Sequence, residues 1–332
     1  MPPEMPPSPT SKRNAPRRVL LSDVTLREHG QNVSLHELKR FTPSVRAEVA
    51  LALVEAGFRR LEILSCVSPK VAPAMAPELI YEVAHAVGRH EHVDLVTLVP
   101  NTRGLETFYS KGLGPSGLGH KVGLFFSAVE SHNQANLKKC IGQTKDSLQR
   151  LVDTLQSKDT AFVAYVSAAF GYHPSPQAPV DVVPPEQLIR HVSWWFELGA
   201  ETVTVSDLQG LAGPTDTAAT LETLSKALPA HQRNRLGYHP HHRDPETGLT
   251  LVARALEVGL SLFDSSLSAL GGCVTGAPGN VPTQGVVSLM TKSGVDPGVD
   301  AEGVRHAQAL LGEALPVLSG HARSEQGGER WR

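Results

Sequence analysis

The side chains best suited to chemistry are concentrated between residues 239 and 280. This segment opens with His239 and His241, two imidazoles at positions i and i+2. Side chains alternate along a β-strand, so these two would project from the same face of one strand. Two imidazoles on one rigid face form half of a typical divalent-metal site. The spacing therefore predicts a metal-binding strand, which needs a carboxylate from elsewhere in the chain.

The same segment closes on a thiol and an amide. After an amphipathic helix and a short apolar run, the chain reaches Gly271-Gly272-Cys273 and then a second glycine-rich turn with Asn280. The pattern is that of a β-strand, a helix and a second strand. One such unit would bring two histidines, a loop thiol and an amide to one place.

Several acidic residues could supply the missing carboxylate. Arg27 and Glu28 follow an apolar run, and Glu62 lies inside the apolar sequence RLEILS. A buried carboxylate is costly unless it is paired or binds a ligand, so Glu62 is a candidate site residue. Glu130 and Asp207 also fall within or just after predicted strands.

Composition limits the class of protein. The chain has 332 residues, 40% of them hydrophobic and 19% charged, with a formal net charge of -2. This balance is typical of a soluble globular enzyme and gives no electrostatic reason to expect nucleic acid or a membrane surface as partner. No apolar run approaches the roughly 20 residues of a membrane span. Three widely separated cysteines favour a reducing compartment, and we expect a cytoplasmic protein.

Periodicity predicts an α/β fold, a (β/α)8 TIM barrel with a short C-terminal helical extension. Strands and helices alternate eight times, which is typical of a closed parallel barrel and less so of two α/β domains. The predicted strands span 18–24, 60–64, 93–99, 121–126, 161–168, 202–205, 236–239 and 260–263. In such a barrel the candidate residues would meet at the carboxyl ends of the strands, where active sites of this fold lie.

The expected domain organisation follows from these elements. Residues 1–17 are rich in proline and predicted to form a disordered tail, and 18–300 form the barrel. A C-terminal helix is expected over 301–320 and a frayed tail over 321–332.

Five motifs, in order, resemble 3-hydroxy-3-methylglutaryl-CoA (HMG-CoA) lyase, within the barrel family of metal-dependent lyases and Claisen synthases. The resemblance covers roughly residues 18–310. The motifs are DVTLREHGQN (23–32), SCVSPKVAPAM (65–75), LVPNTRGLE (98–106), SAVESHNQAN (127–136) and SSLSALGGC (265–273).

The resemblance implies a role for each candidate. Metal ligands would be Glu28, His239, His241 and Asn280; catalytic residues would be Arg27, Cys273, Glu62 and Asp207. It also implies a divalent ion, a CoA thioester as substrate and a homodimer. This donor set suits Mg or Mn and also admits Zn or Co.

The implied reaction is cleavage of a 3-hydroxyacyl thioester to an acetyl-CoA-type fragment and a keto product. The metal would acidify the substrate hydroxyl, Arg27 would stabilise the developing oxyanion, and Cys273 would protonate the enolate carbon. Two alternatives stay open. One is a Claisen synthase that condenses acetyl-CoA with a 2-oxo acid; the other is a non-catalytic barrel that binds a metabolite.

The sequence departs from the lyase pattern in four places. Glu28 replaces the usual Asp, His29-Gly30 changes the tail of the first motif, and His242 stands where an acidic residue is usual. The loop CVTGAPGN (273–280) is about two residues shorter than its lyase counterpart and lacks a Pro-Tyr pair. We expect the chemistry to survive these changes, which bear mainly on substrate specificity.

Overall fold

The computed structural model describes residues 17–242, 244–271 and 278–315. Ten strands are present in this part of the chain. They are β1 (Arg17–Arg18), β2 (Leu20–Asp23), β3 (Arg60–Ser65), β4 (Asp94–Leu98), β5 (Lys121–Ser127), β6 (Phe162–Ser167), β7 (Val203–Asp207), β8 (Leu236–Pro240), β9 (Leu262–Ser265) and β10 (Val295–Asp296).

Strands β2 to β9 close into one parallel barrel, each bonded to the next and β9 bonded back to β2. The closing register pairs Ser22 with Asp264 and Asp23 with Ser265. Strands β3, β7, β8 and β9 are buried along their whole length, as expected where helices cover the outside and side chains fill the inside. The predicted (β/α)8 barrel is confirmed.

Thirteen helices lie in the described residues. They are α1 (Thr25–Asn32), α2 (Leu35–Leu38), α3 (Pro43–Glu55), α4 (Pro77–Val87), α5 (Thr102–Ser110), α6 (Glu130–Leu137), α7 (Ile141–Ser157), α8 (Pro185–Glu197), α9 (Pro214–Ala227), α10 (Ala230–Arg233), α11 (Pro245–Val258), α12 (Thr283–Lys292) and α13 (Ala301–Ala314). None of them is long and apolar enough to cross a membrane.

Two polar segments that follow predicted strands are helices in the structure. Helix α1 follows the first barrel strand directly, and α6 occupies most of SAVESHNQAN. Neither helix has a side-chain hydrogen bond at its N-cap, and both are rich in polar residues, so the usual sequence signals of a helix are weak there. The consequence for function is that Arg27 and Glu28 lie on a helix at the barrel rim.

The end of the barrel away from this rim is closed by ion pairs. Arg60 contacts Asp94 at 3.2 Å, and Lys121 contacts both Asp94 at 2.8 Å and Glu201 at 2.5 Å. A two-stranded parallel sheet of β1 and β10 lies outside the barrel. The tails predicted for 1–17 and 321–332 fall, apart from Arg17, outside the described residues, and α13 ends at Ala314.

Candidate metal centre

Three buried side chains converge at the carboxyl end of the barrel. Helix α1 contributes Glu28, while His239 lies in β8 and His241 immediately after it. Their potential ligand atoms all lie within 4.8 Å of one another. The two imidazole Nε2 atoms are 2.9 Å apart, and Glu28 Oε1 lies 4.0 Å from Nε2 of His239. The predicted half-site and its carboxylate therefore meet.

Each imidazole ring makes a hydrogen bond through its Nδ1 atom, and this bond directs the Nε2 atom toward the centre of the triad. His241 Nδ1 lies 3.0 Å from the carbonyl oxygen of Pro278, and His239 Nδ1 lies 3.0 Å from a carboxylate oxygen of Asp264. Both partners accept hydrogen bonds, so Nδ1 carries the proton on each neutral ring. The two Nε2 lone pairs then face each other, an arrangement that a proton or a metal cation between them would stabilise.

The geometry fits a metal ion as that cation. Two ligands about 2.1 Å from an ion and about 90° apart are separated by roughly 3.0 Å, close to the distance between the two Nε2 atoms. Metal-binding histidines typically donate their other ring nitrogen to a carboxylate or a backbone carbonyl, as both do here. One carboxylate and two imidazoles would hold a divalent ion and leave positions open for substrate.

The charges around the triad also favour a cation. Glu62 and Asp264 are buried, and the buried guanidinium of Arg27 interacts electrostatically with three carboxylates, those of Glu28, Glu62 and Asp264. Burial lowers the pKa of His241 to about 4, helped by the neighbouring ring of His239, so this imidazole is neutral and able to bind a metal.

Asn280 lies beside the triad, paired with His241 in an isolated β-bridge. Its side chain is buried, and its amide nitrogen donates to the carbonyl of Leu270 at 2.7 Å. Gly271 separates this amide from the triad carboxylate. A Cβ at Gly271, where φ is +100°, would lie 2.4 Å from Cβ of Glu28 and 2.7 Å from Nδ2 of Asn280. The close approach therefore requires glycine.

Arg27 is held between two carboxylates. Its Nε and Nη2 lie 2.7 and 2.6 Å from Oε2 of Glu62, and Nη1 bonds Glu28. Tyr165 donates its hydroxyl to the other oxygen of Glu62. Burial opposes the charge of Arg27, but Glu28 and Glu62 together raise its pKa above the usual value. The guanidinium is thus permanently charged and fixed beside the triad.

Two predicted rim residues perform other tasks in the structure. The carboxylate of Asp207 accepts hydrogen bonds from the backbone nitrogens of Leu211 and Ala212, at 3.0 and 2.9 Å, and closes the turn after β7. Glu130 is exposed and accepts a bond from the backbone nitrogen of Ile141. The catalytic role predicted for Asp207 stays a prediction, and Cys273 lies outside the described residues.

Sequence reasoning missed two residues that organise the site. Asp264 lies in an apolar strand, LFDS, so the argument that selected Glu62 would also have found it. Tyr165 lies in FVAYVS and reaches Glu62 across the barrel, a contact that no sequence spacing reveals.

The triad opens into a cavity of about 340 Å³. Its inner wall includes Arg27, the triad and Tyr165, with Leu98 and Phe125 on the apolar side. Its mouth is lined by residues from the segments after β3 and β4 and from the end of α6: Val67, Ser68, Val71, Pro100, Asn101, Asn136 and Leu137. Fold and site together define a closed parallel barrel with a candidate divalent-metal centre in a cleft at its carboxyl rim.

Comparison with known proteins identifies the family. Residues 18–311 match the model of the HMGL-like family, and the chain belongs to that family. It is 30% identical to hydroxymethylglutaryl-CoA lyase YngG of Bacillus subtilis, over 80% of this chain and 85% of that protein. It is also 30% identical to (R)-citramalyl-CoA lyase of Chloroflexus aurantiacus, over 92% of this chain and 94% of that protein. The resemblance found in the sequence is confirmed.

A solved structure gives the same result. An HMG-CoA lyase of Acinetobacter baumannii, in complex with coenzyme A and 3-methylmalate, superposes with a TM-score of 0.78 at 25% identity. The match covers 95% of this chain and 97% of that one. The barrel is therefore that of HMG-CoA lyases along nearly its whole length.

Proposed function

We propose that this protein is a divalent-metal-dependent carbon–carbon lyase that cleaves an HMG-CoA-like 3-hydroxyacyl thioester. The observation that carries the proposal is the buried triad of Glu28, His239 and His241, with the charged group of Arg27 fixed beside it in one cavity. Two relatives at 30% identity are lyases of hydroxyacyl-CoA esters by name, which supports the same class of substrate here. The products would be an acetyl-CoA-type fragment and a keto compound.

A divalent ion held by the triad would orient the substrate and lower the pKa of its hydroxyl. Arg27 lines the cavity and would stabilise the negative charge that develops on the thioester oxygen when the carbon–carbon bond breaks. Glu62 and Tyr165 hold the guanidinium in one orientation, so little reorganisation is needed during the reaction.

The enolate fragment needs a proton, and Cys273 is the proposed donor. Residues 272–277 lie outside the described part, but both neighbours of this segment contact the triad. Gly271 lies against Glu28, and the carbonyl of Pro278 accepts a hydrogen bond from His241. Because the residues on either side of this segment lie at the metal centre, we propose the thiol of Cys273 as the acid for that site.

Basic residues near the cavity mouth support a CoA thioester as substrate. Lys70 and Arg103 are exposed, and each is within two residues of a side chain that lines the mouth, Val71 or Asn101. Among the described residues, neither forms a salt bridge. Unpaired cations there would attract the phosphates of coenzyme A.

The first test combines metal binding with a substrate panel. Purified wild type should bind one Mg²⁺ or Mn²⁺ per chain and be stabilised by it against heat, whereas the His239→Ala/His241→Ala double variant should lose both properties. Wild type loaded with metal should cleave HMG-CoA or (R)-citramalyl-CoA, with the products separated by chromatography.

Each other outcome points to a different function. Release of CoA from acetyl-CoA and a 2-oxo acid, without cleavage of either thioester, would favour the Claisen synthase. Glu28 supports this alternative because it departs from the Asp that is usual in the lyase pattern. Tight metal binding with neither cleavage of a thioester nor condensation of acetyl-CoA would favour a metabolite-binding barrel. The absence of metal binding in wild type would remove the basis of the proposal.

A further inference from the structure

Helix α1, which carries Arg27 and Glu28, packs on residues that are held by a buried arginine, and the proposed reaction does not use this arginine. Arg46 in α3 is fully buried, and no acidic side chain among the described residues pairs with it. Burial lowers its pKa to about 10, which still leaves the group charged at neutral pH. A buried charge without a counter-ion is costly, so its contacts call for an explanation.

The contacts of Arg46 fix the loop that follows β3. Nη1 donates to the carbonyl of Ala74 at 2.7 Å, and Nη2 lies 3.6 Å from the sulfur of Met75. The guanidinium carbon also lies 5.4 Å from the ring centre of Phe41, at cation–π distance. One side chain therefore joins α3 to the loop containing Pro73–Met75 and to the segment after α2.

Met75 passes this constraint on to α1. A Cβ at Gly30, between Glu28 and Gln31, would lie 2.4 Å from Cε of Met75, so the methionine methyl group occupies the place of that side chain. Phe41 contacts the same helix, with its ring centre 4.9 Å from that of His29 in an edge-to-face arrangement. Helix α1 thus packs on Met75 and Phe41, two of the three residues that Arg46 contacts.

We infer that Arg46 is a positioning residue for the metal centre: acting through Met75 and Phe41, it sets the height and rotation of α1 and so the placement of the Glu28 carboxylate. Interiors are densely packed, so a small movement of Met75 shifts the helix against it. The inference rests on the metal centre of the proposed function and not on the reaction.

The first test compares Arg46→Met with Arg46→Lys. The Met variant removes an unpaired buried charge, so its thermal stability without metal should equal or exceed that of wild type. Its affinity for Mn²⁺, measured by calorimetry, should nevertheless fall about threefold to tenfold, less than for loss of a group that touches a ligand directly. The Lys variant keeps a donor for Ala74 and should recover part of the affinity.

Arg60→Met is the matched control, because Arg60 is also buried but lies at the opposite end of the barrel, paired with Asp94. It should lower stability and leave the affinity for Mn²⁺ unchanged. Wild-type affinity in the folded Arg46→Met variant would overturn the inference alone. No metal binding by wild type would overturn both the inference and the proposed function. Metal binding without turnover would overturn only the proposed lyase activity.

A second test uses the contact between Gly30 and Met75. Met75 is fully buried, so its methyl group has little room to turn aside from a new Cβ at residue 30. Gly30→Ala should therefore displace α1 and weaken Mn²⁺ binding. The double variant Gly30→Ala/Met75→Ala makes room for that methyl group and should bind Mn²⁺ more tightly than Gly30→Ala alone, a non-additivity expected of residues in contact. Unchanged affinity in Gly30→Ala would show that α1 does not respond to Met75 and would contradict the inference.

Discussion

Asp264 and His239, on the neighbouring strands β9 and β8, form the buried contact that fixes the first imidazole of the metal centre. The carboxylate lies 3.0 Å from Nδ1 of the ring, and both side chains are almost fully buried. The negative partner holds the proton on Nδ1 and directs Nε2 toward Glu28 and His241. Asp264 thus organises the triad without belonging to it.

Replacing Asp264 should therefore weaken metal binding without removing a ligand. We expect Asp264→Asn to reduce the affinity for Mn²⁺ by about tenfold to a hundredfold, since the amide still fits but no longer favours one tautomer of His239. Calorimetric titration at fixed pH measures the change directly. The control is Asp300→Asn, which alters the N-cap of α13, a residue that does not line the cavity. This variant should bind Mn²⁺ as wild type does.

Glu62 should matter to the reaction more than to metal binding. Glu62→Gln removes the charge that holds Arg27, and hydrogen bonds to charged groups contribute about 1.5–3 kcal/mol. We expect kcat/KM for the cleaved thioester to fall roughly tenfold to a hundredfold, with the affinity for Mn²⁺ changed much less. Tyr165→Phe keeps the carboxylate and should have a smaller effect. Equal kcat/KM in Glu62→Gln and wild type would show that Arg27 needs no such support.

The barrel could be predicted from sequence because its helices and strands have strong periodicity. Strand β3, for example, differs from its predicted range by one residue. The eighth barrel strand was placed two residues early, at 260–263, where the structure has Leu262–Ser265. That shift left Asp264 outside the predicted strand, which is one reason why its role was missed.

The sequence predicts which residues form the site, but not the hydrogen bonds that connect them. His239 and His241 follow from spacing on one strand, whereas the contact of Tyr165 with Glu62 joins β6 to β3 across the barrel interior. Helix α1 was missed because its position depends on tertiary packing against Met75 more than on local helix signals. What sequence patterns leave out is the set of contacts that orients each predicted side chain.

Cys273 provides a test that separates proton transfer from metal binding. Cys273→Ser should lower turnover by about a hundredfold or more, because the hydroxyl is a far weaker acid than the thiol. Affinity for Mn²⁺ should stay within about twofold of wild type, since a general acid need not touch the ion. Cys140→Ser is the matched control, because Cys140 is the N-cap of α7 and serine is a favourable residue there. Full turnover in Cys273→Ser would exclude the thiol as the acid.

Asp23 should make the stability of the metal-free protein depend on pH. Its carboxyl is buried in β2, beside Thr25, and burial raises its pKa from 3.8 to about 7. The folded state therefore holds a proton that the unfolded state releases near pH 4. The stabilisation is complete below that pH and is lost as pH rises through about 7.

Asp23→Asn removes this dependence while keeping the size of the side chain and an oxygen that can accept from Thr25. Between pH 4 and 8, the free energy of unfolding of Asp23→Asn should rise relative to wild type, by at most about 4 kcal/mol. Urea denaturation at several pH values, with a chelator present to keep both proteins metal-free, gives the two curves. A constant difference between them would mean that Asp23 is ionised throughout, and the buried acid would then need a cation to compensate it.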